Sequence, residues 1–282
     1  MGAMGDFRSA IQGQVRELFG TTDANRIDLA RPPGDPGLFA PGSAAWKVHG
    51  DLAAMMIGGV ASLLLQMLHP GALAGVWDHS DFRRDMRGRL RRTAQFISGT
   101  TYGSTATAEA LIERVARVHD RVTGTLPDGT PYSANDPALL TWVHAAETWC
   151  FLAAYRRYVD PAMPRGQQDR YVGEVATLAR RLGAEEVPED VAALEAYLAA
   201  MRPALRYDHR TRAVARALTS EPAPTLALAP FQRLTMDAGF DLLPGWAARM
   251  HGPRQPLPHR FGVRAGAAGV GSVLRWALAP AG

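Results

Sequence analysis

An all-α, single-domain fold is predicted for this 282-residue chain by three features. Apolar residues recur at helical spacing in one stretch after another. Proline and glycine punctuate the ends of those stretches. No run of strands is visible, and there is no internal repeat.

The elements follow in order. Asp6–Phe19 mixes apolar and charged positions at helical spacing, and Thr21–Ser43 is rich in Pro and Gly. Residues 1–43 are therefore read as an N-terminal helix and irregular arm, leading into a helical domain at 44–282, one domain overall. Ala44–Leu68 reads as one long helix stopped at His69-Pro70, because proline lacks an N–H and disfavours helix in the residue before it. Ser80 is the expected N-cap of a helix over Asp81–Ile97. Ala108, Leu111, Val115, Val118 and Val122 follow the helical period and predict a helix from Ala106 to Val122. Gly124–Ser133 contains Pro-Asp-Gly and reads as a turn or short hairpin.

Asn135-Asp136-Pro137 is a helix start, with proline in the first turn. That helix runs to Tyr158 and is apolar nearly all round, which marks it as central. Arg165–Leu182 follows, with Gly183 suited to its C-cap. Helices are then expected at Pro188–Met201, Asp208–Thr219, Thr225–Gly239 and Phe261–Leu278.

Composition narrows the class. The hydrophobic content of 47% suits a globular protein, and the 21% charged residues include no long low-complexity tract. The single cysteine, Cys150, excludes an internal disulfide and fits a reducing compartment. Met1–Gly20 has no apolar signal-like core, so the expected location is cytoplasmic. Leu52–Leu68 is the greasiest segment, but Gly58, Gly59, Ser62 and Gln66 interrupt it, and it reads as a buried helix with no transmembrane role. A net charge of +4 favours anionic partners only weakly. The chain has no P-loop, no Gly-x-Gly-x-x-Gly opening a βα unit, no Cys-x-x-Cys and no Gly-x-Ser-x-Gly, which removes most nucleotide-binding and common hydrolase classes.

Polar groups cluster between Gln66 and His119. His119 lies on or beside the apolar face of its helix, where an imidazole needs a partner or loses its charge. It is either a metal ligand, including an axial ligand to haem iron, or a core histidine bonded to a carbonyl. Arg83, Arg84, Arg87, Arg89, Arg91 and Arg92 form a basic run in which Arg89 and Arg92 share a face and Thr93 lies one turn on from Arg89. Guanidinium suits carboxylates and phosphates, so the run is a propionate or distal-site group, a nucleic-acid contact or a solvated basic face. No recognised DNA-binding motif supports the nucleic-acid reading, and no nucleic-acid partner is expected. His144 and Glu147 share a face of the central helix, but no Glu-x-x-His occurs elsewhere to complete a di-iron site. An internal bond between His144 and Glu147, or a place behind a metal ligand, is expected instead. His69 and His79 stand at helix ends, and Gly58-Gly59 would let another helix approach closely.

Taken together, LLLQMLHPGALAGVWDHSDF, GRLRRTAQF, RVARVHDRVTG, TPYSANDPALLTWVHA and FLAAYRRYV, in this order over roughly Ala44–Tyr197, resemble the MpaB-type oxygenases, a family that includes the latex-clearing protein. The resemblance implies an all-α haem pocket with b-type haem. It makes His119 the proximal iron ligand and Arg89 and Thr93 distal groups, Arg89 also touching the cofactor. Arg92 stands where the family's distal lysine is implied, and Ala116 where the family often has arginine. The implied function is a haem b-dependent oxidoreductase acting with O₂ on an apolar small molecule of lipid or terpenoid-like kind, by hydroxylation or C=C cleavage, with an unidentified reductant. The alternative is a non-catalytic haem or lipid carrier of the same fold. An apolar helical surface leaves room for a homodimer.

Overall fold

The computed structural model describes residues 8–9, 11–13, 27–223, 225–252 and 255–279. The helix expected over Asp6–Phe19 lies largely outside the described residues, as does the start of the arm. The described residues form one all-α domain with a single two-stranded hairpin.

Two helices stand where one long one was expected: α1 (Ala44–His49) and α2 (Leu52–Gln66). Gly50 closes α1. Asp51 then takes an extended backbone and accepts the N–H of Ala54 at 2.8 Å, so it caps a new helix. The unbroken apolar run hid this cap. As expected, the run stops at His69-Pro70. His69 caps α3 (Pro70–His79) by accepting the Gly71 N–H.

Ser80 does not start the next helix. It ends α3, and a turn at Asp81 intervenes before α4 (Met86–Tyr102), which Asp85 caps through Gly88 N–H at 2.8 Å. The Ser80 hydroxyl instead accepts a hydrogen bond from Arg89, and the helix runs five residues beyond the expected Ile97. The helix α5 (Thr105–His119) follows after only Gly103 and Ser104. It ends at Asp120 rather than Val122, whose carbonyl instead accepts the Ala134 N–H. The strands β1 (Thr123–Thr125) and β2 (Pro131–Ser133) pair antiparallel, with Gly124 opposite Tyr132. Their turn places Gly129 at φ +87°, a left-handed conformation that glycine adopts without strain.

The central helix α6 (Pro137–Tyr158) has the expected bounds, capped by Asp136. Against it lie α7 (Arg165–Arg181) and α8 (Val191–Met201), while α9 (His209–Thr219), begun by a capping box at Asp208 and Thr211, packs on α3. The helix α10 (Ala229–Leu242) starts later than expected, after a 3₁₀ turn at Leu226–Leu228. A short α11 (Gly245–His251), not foreseen, precedes α12 (Leu257–Leu278).

The core is centred on α2 and α6, which pack more extensively than any other pair. Gly58 permits this: a Cβ there would meet Phe151 Cδ1 at 2.8 Å and the Cys150 carbonyl at 3.2 Å. Trp142, fully buried, bonds the Gln66 carbonyl at 3.2 Å and so satisfies a group in the last turn of α2. No single described helix is long and apolar enough to cross a membrane. The pair α2 and α3 passes together by length and composition, but it is bent by 103°.

Candidate active site at the α4–α5 hairpin

The link of two residues makes α4 and α5 a hairpin, in which Gly99 of α4 meets Leu111 of α5. Arg89 lies ten residues before that contact and His119 eight residues after it. At a rise of about 1.5 Å per residue they sit about 15 Å and 12 Å from it, towards the same open end. The last turns of α3 touch both sides of this end. Ser80 accepts a hydrogen bond from Arg89 Nη1 at 2.9 Å, and a Cβ on Gly75 would meet Val122 at 3.2 Å.

The hairpin is unsealed. The apolar residues Leu90, Phe96, Ile97, Leu111 and Val115 are only half-buried, and α5 fully buries just Ala108 and Ile112. Leu90 and Ile97 rest against the main core, and the half-exposed apolar surface that remains on the hairpin suits contact with a further apolar group.

His119 is in the last turn of α5. Its Nδ1 is buried and has no hydrogen-bond partner. Burial lowers its pKa, against the opposing influence of Asn135 and Asp120, so the ring is held neutral near pH 7. A neutral imidazole with an unsatisfied buried nitrogen has the form a metal ligand requires. The Asn135 amide donates to Asp120 at 2.7 Å, and both residues lie close enough to the ring to oppose the effect of burial on its pKa.

Arg89 is half-buried. Desolvation, with a smaller contribution from Arg92, lowers its pKa to about 10, and it remains charged at neutral pH. Thr93 is half-buried and donates its hydroxyl back to the Arg89 carbonyl at 3.2 Å, which steadies the turn. Arg92 shares the helix face with Arg89 by spacing, yet it is exposed and pairs with Asp85 at 3.3 Å. Its charge reaches Arg89, while its side chain turns to solvent.

The remaining arginines disperse. Arg83 stacks over Trp77 at 4.0 Å, Arg84 pairs with Asp81 in solvent, and Arg87 donates to the Pro222 carbonyl at 2.7 Å. His79 lies at a helix end as expected, 3.1 Å from the Thr123 carbonyl. His144 and Glu147 do not bond each other as expected: His144 takes Thr148 at 3.2 Å, and Glu147 accepts from Gln66 at 3.2 Å. Among the described residues no group of three or more His, Cys, Asp or Glu side chains could hold a metal ion.

Sequence reasoning missed Ser80 as the partner of Arg89. Its position next to a helix-ending His was the available signal, read instead as a cap. It also missed His49, half-buried between Thr101 (2.8 Å) and Tyr171 (3.1 Å), and His251. Both lie in apolar stretches where periodicity marks only burial.

Searches of curated proteins and of solved structures found no match. Residues 46–276, from α1 almost to the end of α12, match a family of oxygenases, well beyond the stretch over which the motifs were legible. The chain belongs to the family described as ER-bound oxygenase mpaB/B′/rubber oxygenase, catalytic domain.

Proposed function

We propose that the chain is a haem b-dependent oxygenase acting with O₂ on an apolar small molecule of lipid or terpenoid-like kind. One observation carries the reading. In a member of an oxygenase family, His119 presents a buried, partnerless ring nitrogen at the open end of an apolar hairpin, level with Arg89.

These residues fit the group. His119, kept neutral by burial, would hold the iron. Phe96 and Val115, half-buried on the hairpin, would supply apolar contact and exclude water. Arg89 uses one N–H on Ser80, and its other donors remain available for negative charge, either a propionate or the developing charge of the reaction. When bound, haem supplies the redox-active centre for O₂ chemistry; the protein supplies orientation, charge and dryness. Thr93, bonded to the Arg89 carbonyl, positions the backbone that carries the guanidinium. Electrons come from a separate reductant. A single buried cysteine fits a cytoplasmic setting.

Absorption spectroscopy of protein reconstituted with haem b tests the reading. A Soret band at one haem per chain is expected, and His119→Ala should lose it. A band unchanged in His119→Ala, or none in the parent, overturns the assignment. Mixing the reduced holoprotein once with O₂ and a terpenoid should then give oxygenated product. Haem uptake without product would leave a carrier.

A further inference from the structure

The helix α12 turns an apolar face to solvent. Five of the eight large apolar side chains that stand exposed among the described residues belong to it: Leu257, Phe261, Val273, Trp276 and Leu278. Phe261 is 77% exposed and Leu257 71%. A surface helix ordinarily meets water with charged residues. The arginines of α12 are drawn inward instead. Arg260 and Arg264 pair with Asp241 at 2.5 Å and 2.6 Å, and Arg275 pairs with Asp51 at 2.8 Å.

The outward positions form a seam. Pro258, Gly262, Ala265, Gly269, Ser272 and Trp276 are all exposed, and they stand alternately four and three residues apart. That is the spacing of a coiled-coil contact line, which runs nearly straight along a helix. No charged side chain stands on the seam, and Phe261 and Val273 flank it on opposite sides. The glycines give a second sign. Gly266 and Gly271 face inward, where a Cβ would meet Leu234 at 3.2 Å and the Ala53 Cβ at 3.5 Å. A Cβ on Gly262 or Gly269 would meet nothing within 4 Å. Glycine weakens a helix, and nothing among the described residues uses the room that these two leave.

We propose that α12 is a homodimer interface, two copies packing seam to seam and antiparallel about a two-fold axis between Ala265 and Gly269. Across that axis Ala265 of one copy meets Gly269 of the other, Gly262 meets Ser272, Pro258 meets Trp276 and Phe261 meets Val273, each pair occurring twice. The small residues in the middle let the two backbones approach closely, and the large ones close the ends. The helix has 22 residues and is about 33 Å long. Two such strips bury on the order of 600 Å² per copy, at the low end of stable interfaces, which gives dissociation in the micromolar range. A bilayer fits the face less well. A helix lying on lipid carries a strongly charged outer face, whereas these arginines are engaged by Asp241 and Asp51, and glycine, alanine and serine in the middle of the seam gain little from lipid. Of the described N-terminal residues, Arg8 is held at the last turn, where it stacks over Trp276 at 5.9 Å and bonds the Ala277 carbonyl, and the seam from Pro258 to Ser272 stays exposed. The pairing does not depend on the oxygenase reading.

Sedimentation velocity of the full chain, with and without haem b, tests this. At about 100 μM it should sediment at twice the chain mass and dissociate on dilution. Gly269→Leu should weaken the dimer about tenfold or more, because the added side chain holds the seams apart. The space at that Cβ is open, so the fold is kept, and circular dichroism checks it. Phe261→Cys mixed with Val273→Cys should form a disulfide between copies under mild oxidation. Neither variant alone should, because like positions stand about 18 Å apart along the helices, beyond disulfide reach. Cys150 is buried and takes no part. A monomer at every concentration, a dimer unchanged by Gly269→Leu, or cross-linking of either cysteine variant alone overturns the proposal. So does a monomer that floats with phosphatidylcholine vesicles, which gives the face to lipid.

Discussion

Between α2 and α6 apolar surface is closed, and between α4 and α5 it is left open. On α2, ten of 15 residues are buried, and on α6, twelve of 22. On α5 only two of 15 are, although its apolar stripe is as regular as any in the chain. The polar groups differ in the same way. Beside α2, Gln66 joins Ser62 and Glu147, and His49 has a partner at each ring nitrogen. In the hairpin His119 Nδ1 has none, and the same holds for the Tyr158 hydroxyl at the end of α6 and for His251 Nδ1. What sets the hairpin apart is that its unpartnered nitrogen lies beside an apolar stripe that the fold leaves half-exposed.

The largest expected effect breaks the closed pair. Trp142→Ala removes a fully buried indole and leaves the Gln66 carbonyl without that donor. It should cost about 3–5 kcal/mol in urea unfolding. Val115→Ala in the hairpin should cost less than about 1 kcal/mol in the haem-free protein, since the side chain is only half-buried there. Saturating haem should widen the Val115→Ala difference and leave the Trp142→Ala cost alone. Equal costs at the two sites without haem would remove the contrast.

The buried polar cluster sharpens the contrast through pH. Burial pushes Glu147 up to about 7 from 4.5, against the single hydrogen bond from Gln66. Between those values the folded chain holds a proton that the unfolded chain has released, so stability falls as pH rises from 4.5 to about 7 and is level above. His49 and His144, lowered by burial to about 4, act in the opposite sense. Their contribution is intact above 6.5 and is lost as pH falls towards 4. Glu147→Gln should therefore be more stable than the parent at pH 8, by on the order of 2 kcal/mol, and equal to it at pH 4.5. Urea unfolding across that range measures it, and a gap independent of pH would refute the assignment to Glu147.

The closed region was the more legible in sequence for a physical reason. The bounds of α6 follow from Asp136-Pro137 and from an apolar surface on every side, and packing has no competitor there. The errors fall where a short polar side chain competes for backbone N–H groups: Asp51 splits one expected helix, and Asp85 displaces Ser80 as a cap. At the site, the neutral, half-buried His119 was foreseeable from its place beside an apolar stripe. The solvent-facing turn of Arg92 was not, because i, i+3 spacing assigns a face and leaves the rotamer to the partner, here Asp85. The ion cluster on Asp241 brings together Arg157 of α6 and Arg260 of α12, more than 100 positions apart, and no local pattern announces it.

Asp85 separates the two kinds of charge in the hairpin. It caps α4 through Gly88 and also meets Arg92 in solvent. Asp85→Ala loses the cap and should cost about 1 kcal/mol in thermal or urea unfolding.

Arg92→Ala removes only the outer partner. The pair is more than half exposed on both sides, so water and salt already do most of the screening. Its loss should change stability by less than about 0.5 kcal/mol. Arg89 feels the charge of Arg92 without touching it, and Arg92→Ala therefore relieves a repulsion at the half-buried guanidinium. If Arg92 acts only in this indirect way, the Soret band of haem-loaded Arg92→Ala stays in place and haem is retained, whereas Arg89→Gln weakens haem retention. A spectrum shifted as strongly by Arg92→Ala as by Arg89→Gln would mean that the side chain swings inward when haem binds, and would move Arg92 from the rim of the hairpin into the pocket.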